Sequence, residues 1–141
     1  MPGFPWEKDL NAEWENLYKN IFRRYEREED RNKDISQPNA NLMRAYLRLL
    51  PVAHLLQQDT SLHHLMPWQH HGVLDLFLNS RRLIIRILPL SANIYRLSFY
   101  DPNSTLGYAL IKPYKEVSDV LLGKVHSLML EELKTINSLL D

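Results

Sequence analysis

Apolar residues recur at three- and four-residue steps in the first third of the chain, which is the spacing of one helical face. The pattern predicts a first helix from Asp9 to about Asp30 and a second helix that begins near Asn41. Pro51 cannot donate a backbone hydrogen bond, and it disfavours helical geometry at the preceding residue. We therefore expect residues 52–56 to form either a kinked continuation of the second helix or a new short helix, and we favour the new helix.

From Val73 the period of the apolar residues changes to two, which is the spacing of β-strands. It predicts four strands, over residues 73–78, 83–88, 94–100 and 106–111. Short turn-forming sequences separate them, so neighbouring strands are expected to pair as an antiparallel meander. One phase of the alternation is expected to face the helices. It contains Leu74, Leu76, Leu78, Leu83, Ile85, Ile87, Tyr95, Leu97 and Phe99.

Helical spacing returns after Pro113 and predicts a final helix with Leu121, Val125 and Leu128 on its buried face. The elements then define an α+β fold, in which two N-terminal helices and one C-terminal helix pack on a four-stranded antiparallel meander sheet. A chain of 141 residues has the length of one domain, so we expect residues 1–141 to share one core.

Three segments lack this regular patterning. Residues 1–8 form an N-terminal arm, residues 26–38 are mostly charged with mixed signs, and residues 57–72 contain four histidines. The charged run indicates a solvated helix end followed by a linker. The histidine-rich run also contains Pro67 and Gly72, and it indicates a connector.

The charge balance and the residue types narrow the class of protein. Lysine plus arginine equals aspartate plus glutamate at 17 each, so the chain lacks the positive field that attracts nucleic acid or anionic membranes. Cysteine is absent, which excludes disulfides, thiolate metal sites and thiol nucleophiles. There is no signal-peptide pattern, and uncharged apolar runs are shorter than the roughly 18 residues of a membrane span. We expect a soluble cytoplasmic protein that does not enter a membrane.

Known catalytic spacings are also missing from the sequence. There is no Gly-x-Ser-x-Gly turn to expose a nucleophilic serine, and the four glycines are too dispersed for a phosphate-binding loop. The paired carboxylates at residues 28–29 and 131–132 lie in stretches with the pattern of exposed helix surface. We therefore expect a protein without catalytic activity and without a cofactor.

The histidines allow an alternative in which the protein binds a metal. Neutral imidazole is a good ligand for zinc, nickel or copper. The candidate ligands come in adjacent pairs, and consecutive side chains usually point apart. We therefore favour ordinary loop histidines, some of them packed beside Trp68. The metal ligands of the alternative would be His63, His64, His70 and His71.

The residues on the other face of the predicted sheet are about half apolar. A strand with one face in water normally alternates cleanly between apolar and polar residues. Something should cover it: another protein, a second copy of the chain, or one of its own helices. Arginine suits such an interface because its stem packs on hydrocarbon while its head pairs with carboxylates. Asp75 beside Arg86 is expected to be a cross-strand charge pair. The predicted interface consists of Phe77, Ile84, Arg86, Leu88, Ile94 and Arg96.

The leading hypothesis is a small protein-binding module whose partner is another protein or a second copy of itself. Its size is that of an accessory, antitoxin-like or phage-encoded factor. A nucleic-acid-associated factor is the alternative that we do not favour, because no RNA-binding signature is present. In that alternative, arginines track phosphates and an aromatic residue stacks on bases. Its residues would be Arg81, Arg82, Arg86, Arg96 and Tyr100.

Overall fold

The computed structural model describes residues 9–33, 40–78, 82–103 and 112–139. Within these ranges the chain forms helices and strands in the order helix, helix, helix, five strands, helix. Their bounds are α1 Leu10–Glu15, α2 Leu17–Lys33, α3 Asn41–Gln58, β1 Met66–His70, β2 Val73–Leu78, β3 Arg82–Ser91, β4 Ile94–Phe99, β5 Lys115–Leu121 and α4 Leu122–Leu139. A single 3₁₀ turn at Thr60–Leu62 joins α3 to β1.

The predicted first helix is present, but it divides at Asn16 into α1 and α2. Helix α2 continues to Lys33, so the first eight residues of the predicted charged linker 26–38 are helical. Opposite charges three residues apart explain this, because they pair on the helix surface. One such pair joins Lys33 to Asp30 at 3.1 Å. Residues 34–39 lie outside the described part of the chain.

Helix α3 runs through Pro51 without a break, so the favoured new start at this residue is wrong, and the helix continues as in the alternative. Leu50 and Val52 on either side of the proline are both buried in the main core. Their packing outweighs the hydrogen bond that the proline cannot donate. Pro51 and Leu47 both lie on the exposed side of the helix. Water can therefore bond the Leu47 carbonyl, which the proline leaves without its usual donor.

The sheet is an antiparallel meander, as predicted, but the described residues contribute five strands to it, in the order β1-β2-β3-β4-β5. The additional strand β1 lies inside the histidine-rich segment 57–72, which the sequence pattern assigned to a connector. The presence of Pro67 in this strand explains the error, because proline cannot donate to a β-ladder and argues against a strand in a sequence. An edge strand tolerates it, since one side of the strand needs no partner.

Strand β5 begins where we expected the last helix, so the predicted start after Pro113 is wrong. A β-bulge explains the error. Val117 and Val120 oppose Leu97 and Tyr95, so three steps along β5 match two along β4. The extra residue leaves Asp119 with a φ of 57°, and it gives the strand the apolar spacing of a helix. The predicted strand at 106–111 falls outside the described residues.

Helices α3 and α4 lie against one face of the sheet, and α2 packs on α3. Most residues predicted to face the helices belong to this main core. Leu78 is only partly buried and packs against it, and Leu83 belongs to a second, smaller buried cluster. From α4, Val125 is buried as predicted, whereas Leu128 is only partly buried. Within the ranges that the structure covers, none of the helices combines the length and the apolar character that a bilayer crossing requires.

Candidate interaction surface

The face of the sheet opposite α3 and α4, here called the second face, carries most of the side chains predicted to form an interface. A register shift between β2 and β3 changes which residues of β3 lie on this face. Leu76 pairs with Ile85, but Phe77 pairs with Leu83. Ile84 is the extra residue of this bulge. It is fully buried in the main core, so its predicted place in an interface is wrong.

One end of the second face is covered by the chain itself. Met66, Phe77, Leu83 and Tyr100 form a small buried cluster there, and Leu10 and Trp68 pack against it. Leu10 is the first residue of α1, which lies beside β1. Phe77 is only 1% exposed, and it therefore cannot contact a partner as predicted.

Asp75 occupies the centre of the second face and is completely buried. The predicted cross-strand pair with Arg86 is confirmed: Arg86 donates from Nε to Oδ1 at 2.8 Å and from Nη2 to Oδ2 at 2.9 Å. His70 lies 2.7 Å from Oδ2 through its Nε2. These contacts connect the three strands β1, β2 and β3 through one carboxylate.

Trp68 lies beside this carboxylate and stacks on His70, with ring centroids 4.1 Å apart. The predicted packing of a histidine beside Trp68 is thus confirmed. Both oxygens of Asp75 are engaged, and its charge balances that of Arg86. The arrangement suits strand registration better than proton transfer to a substrate, because a general base needs an accessible lone pair.

The other end of the second face is more exposed. There Leu88 pairs with Arg96 across β3 and β4, and Ile94 pairs with Leu121 across β4 and β5. Leu121 is 55% exposed, and the other three are partly exposed. Arg96 donates from Nε to Ser118 Oγ at 3.4 Å, which is a long and weak hydrogen bond. We call Leu88, Ile94, Arg96 and Leu121 the distal patch.

The residues of the nucleic-acid alternative do not form one platform. Tyr100 is 5% exposed, so its ring cannot stack on a base, and burial raises the pKa of its phenol. Arg82 donates to the backbone carbonyl of Pro102. Arg86 is paired with Asp75. Arg81 lies outside the described residues.

The side chains of the two histidine pairs point to different parts of the structure and do not converge. His63 stacks on Trp14, with ring centroids 4.3 Å apart, and its Nε2 lies 3.0 Å from the Leu56 carbonyl oxygen. His70 contacts Asp75, while His64 and His71 are exposed. In the described part of the chain, no three side chains of histidine, aspartate or glutamate are grouped in a way that could hold a metal ion.

A polar cleft of about 480 Å³ lies between α1 and the end of α3, lined by Asn11, Trp14, Glu15, Gln57 and His63. The amide nitrogen of Gln57 donates to the carbonyls of Trp14 and Glu15 at 2.7 and 2.9 Å. Carbonyls at a helix end have no partner within the helix. Gln57 therefore serves to cap α1, which accounts for the polar lining of the cleft.

Comparisons of the chain with models of protein families, with curated proteins and with solved structures gave no match. The class of the protein is therefore the one defined by its own fold, an α+β domain with a five-stranded antiparallel sheet.

Proposed function

We propose that the protein is a non-catalytic interaction module that binds another polypeptide through the distal patch. The observation that carries the proposal is the exposure of Leu121 beside Ile94, on the part of the sheet that the small buried cluster does not cover. Neighbouring apolar side chains that form one exposed patch are a recognised feature of protein interfaces.

The chemistry of the distal patch supports this proposal. Arg96 lies between apolar neighbours, and arginine is enriched at protein interfaces because its stem packs while its guanidinium pairs with carboxylates. The bond from Arg96 to Ser118 is long, at 3.4 Å. A partner carboxylate can replace it at little cost, since a charge-assisted hydrogen bond is stronger than this one.

Site-specific photo-crosslinking in an extract of the source cells tests the proposal. A photoreactive residue at position 121 should form adducts with a polypeptide. The same residue at Leu139, which is 47% exposed and lies at the end of α4, should not. The variant Ile94→Asp, with the probe still at position 121, should lose the adducts. Equal adducts at both positions, or none at position 121, would contradict the proposal.

A further inference from the structure

One side of helix α2 carries four arginines with no acidic residue among them. At 3.6 residues per turn, they lie within a sector of about 100° of the helix circumference, in which the only other residue of α2 is Asn20. All four are exposed to solvent. We call them the arginine row, and they are Arg23, Arg24, Arg27 and Arg31.

The acidic residues of α2 neutralise only one arginine of the row, as far as the described residues show. Glu28 pairs with Arg31 at 3.1 Å, although 71% of the Arg31 side chain stays exposed. Asp30 pairs with Lys33 instead, at 3.1 Å. In the part of the chain that the structure describes, ion pairs and side-chain hydrogen bonds are absent from Arg23, Arg24 and Arg27. Most of the positive charge of the row is therefore available to a ligand.

Without a ligand, the arginine row is unfavourable for the helix. Arg27 lies four residues from Arg23 and four from Arg31. It lies three residues from Arg24. Like charges at these spacings are neighbours on the helix surface and destabilise it. The chain as a whole has zero formal net charge, so the row is a local excess and does not reflect a basic composition. An anion bound along the row would relieve this repulsion.

From these charges we infer that the arginine row binds the phosphate backbone of a single nucleic-acid strand. The sector contains no apolar residue of α2, whereas protein interfaces have an apolar core. Ion pairs on an exposed surface contribute little by themselves. A phosphate chain needs no apolar contact, because it gains affinity by releasing its condensed counterions. Arginine also suits this ligand, since its planar guanidinium can donate two parallel hydrogen bonds to one phosphate.

The rest of the α2 surface favours one strand over a duplex. A helix in the major groove of a duplex has phosphate chains on both sides. Beyond the arginine row, the side of α2 that is not buried has no positive excess that would attract a second chain. Its charged residues are Lys19, Glu26, Glu29, Asp30 and Lys33. One strand can instead follow the row, which extends about 12 Å from Arg23 to Arg31.

Fluorescence anisotropy with a labelled oligouridylate tests the inference. An oligomer of about 20 nucleotides is longer than typical binding sites for single strands. For the wild type, a plot of log affinity against log salt concentration should have a slope of about −2 to −3, which corresponds to three or four phosphate contacts. The double variant Arg23→Gln with Arg27→Gln should bind about tenfold more weakly at low salt, and the magnitude of its slope should be smaller by about 1.4. Its circular dichroism spectrum should not change, because glutamine and arginine have similar helix propensities.

The double variant Lys124→Gln with Lys134→Gln is the matched control. Both lysines are exposed on α4, and their replacement changes the net charge by the same amount. The affinity and the salt slope of this control should equal those of the wild type. An oligothymidylate of the same length should bind about as well as the oligouridylate, because contacts with phosphates alone do not distinguish the two.

A photoreactive residue at position 20, within the sector of the arginine row, identifies the class of partner in an extract of the source cells. Its adducts should be digested by ribonuclease or by deoxyribonuclease, and the enzyme that acts distinguishes RNA from DNA. Adducts that resist both nucleases would assign the row to an acidic protein and overturn the inference. So would an absence of adducts, a wild type that binds neither oligonucleotide at about 50 mM salt, tighter binding to a duplex, or an equal loss of affinity in the lysine variant. None of these outcomes bears on the distal patch, which lies on the sheet.

Discussion

A β-carbon placed on Gly72 would lie 2.7 Å from the Cβ of Ala45, so the turn between β1 and β2 meets α3 at a distance that only glycine allows. Gly72 also has a φ of 76°, and His71 before it has a φ of 48°. Two-residue turns of this kind match the twist of a β-hairpin. One residue thus permits both the turn and the close packing of the helix.

Gly72→Ala should therefore destabilise the protein by at least about 1–2 kcal/mol, because alanine is strained in left-handed backbone geometry and must also displace Ala45. Gly123→Ala is the matched control. Nothing lies within 4 Å of a β-carbon at Gly123, which is in α4. The free energy of unfolding of the Gly123→Ala variant should equal that of the wild type or exceed it by up to about 1 kcal/mol. Urea unfolding measures both, and equal effects of the two substitutions would contradict the assigned turn.

Asp75→Asn should lower the free energy of unfolding by about 3–5 kcal/mol, because asparagine keeps the shape but removes a buried charge that meets Arg86. Asp30→Asn is the control. Asp30 pairs with Lys33, but the side chains are 74% and 64% exposed, so no measurable change is expected. Chemical denaturation compares the two variants. A similar small effect from both would show that Asp75 does not hold the strands together.

Glu132 should make stability depend on pH. Burial raises the pKa of this carboxyl, but hydrogen bonds from Lys115 and from Tyr114, the latter at 2.6 Å, outweigh burial and leave the pKa below its usual value of 4.5. A carboxyl with a lowered pKa stabilises the fold above its unfolded-state value and loses that contribution as the pH falls through its folded-state value.

The variant Glu132→Gln should accordingly be less stable than the wild type at neutral pH. The difference should shrink as the pH falls below about 4.5, because the wild-type carboxyl then takes up a proton. Thermal unfolding across this pH range is the measurement. Glu131→Gln, at the exposed neighbouring position, should show no such dependence. A pH-independent difference between Glu132→Gln and the wild type would refute the role given to the Lys115 and Tyr114 hydrogen bonds.

The boundary between β5 and α4 can be tested with two alanine substitutions. Met129 is fully buried in α4, and Met129→Ala should cost about 2–5 kcal/mol. Leu121 is the last residue of β5 and is 55% exposed, so Leu121→Ala should change the stability of the isolated chain by less than about 0.5 kcal/mol. A helix that began after Pro113 with Leu121 on its buried face would make both substitutions costly.

The central part of the fold was predictable from the sequence because its residues follow a single period. Strands β2, β3 and β4 alternate regularly over most of their length, and their inward residues fill the main core. The two edge strands were not predictable. Pro67 removes the strand signal from β1, and the bulge at Asp119 gives β5 the apolar spacing of a helix. Both irregularities are tolerated at an edge, where one side of the strand needs no partner.

The candidate interaction surface could be predicted only in part. Leu88, Ile94 and Arg96 lie on the second face, as the phase of the strands requires. Ile84 does not, because a bulge involves a register shift that a period of two cannot reveal. The prediction that Leu121 is buried in the last helix was wrong, because Leu121 is the exposed last residue of the unexpected β5. The groove between α2 and α3, which Tyr18 and Leu47 line, depends on the way the two helices pack, and no periodicity within one helix predicts that contact.

The order of strands in the sheet repeats their order in the chain, β1-β2-β3-β4-β5, and this has a consequence for how the protein folds. Each strand finds its partner a short distance away in the sequence, so little chain entropy is lost when a pair forms. Rates of folding rise as contacting residues become closer in sequence. The meander can grow one hairpin at a time, starting from the tight turn at His71 and Gly72. We expect it to fold faster than a sheet of equal size whose neighbouring strands are distant in the chain.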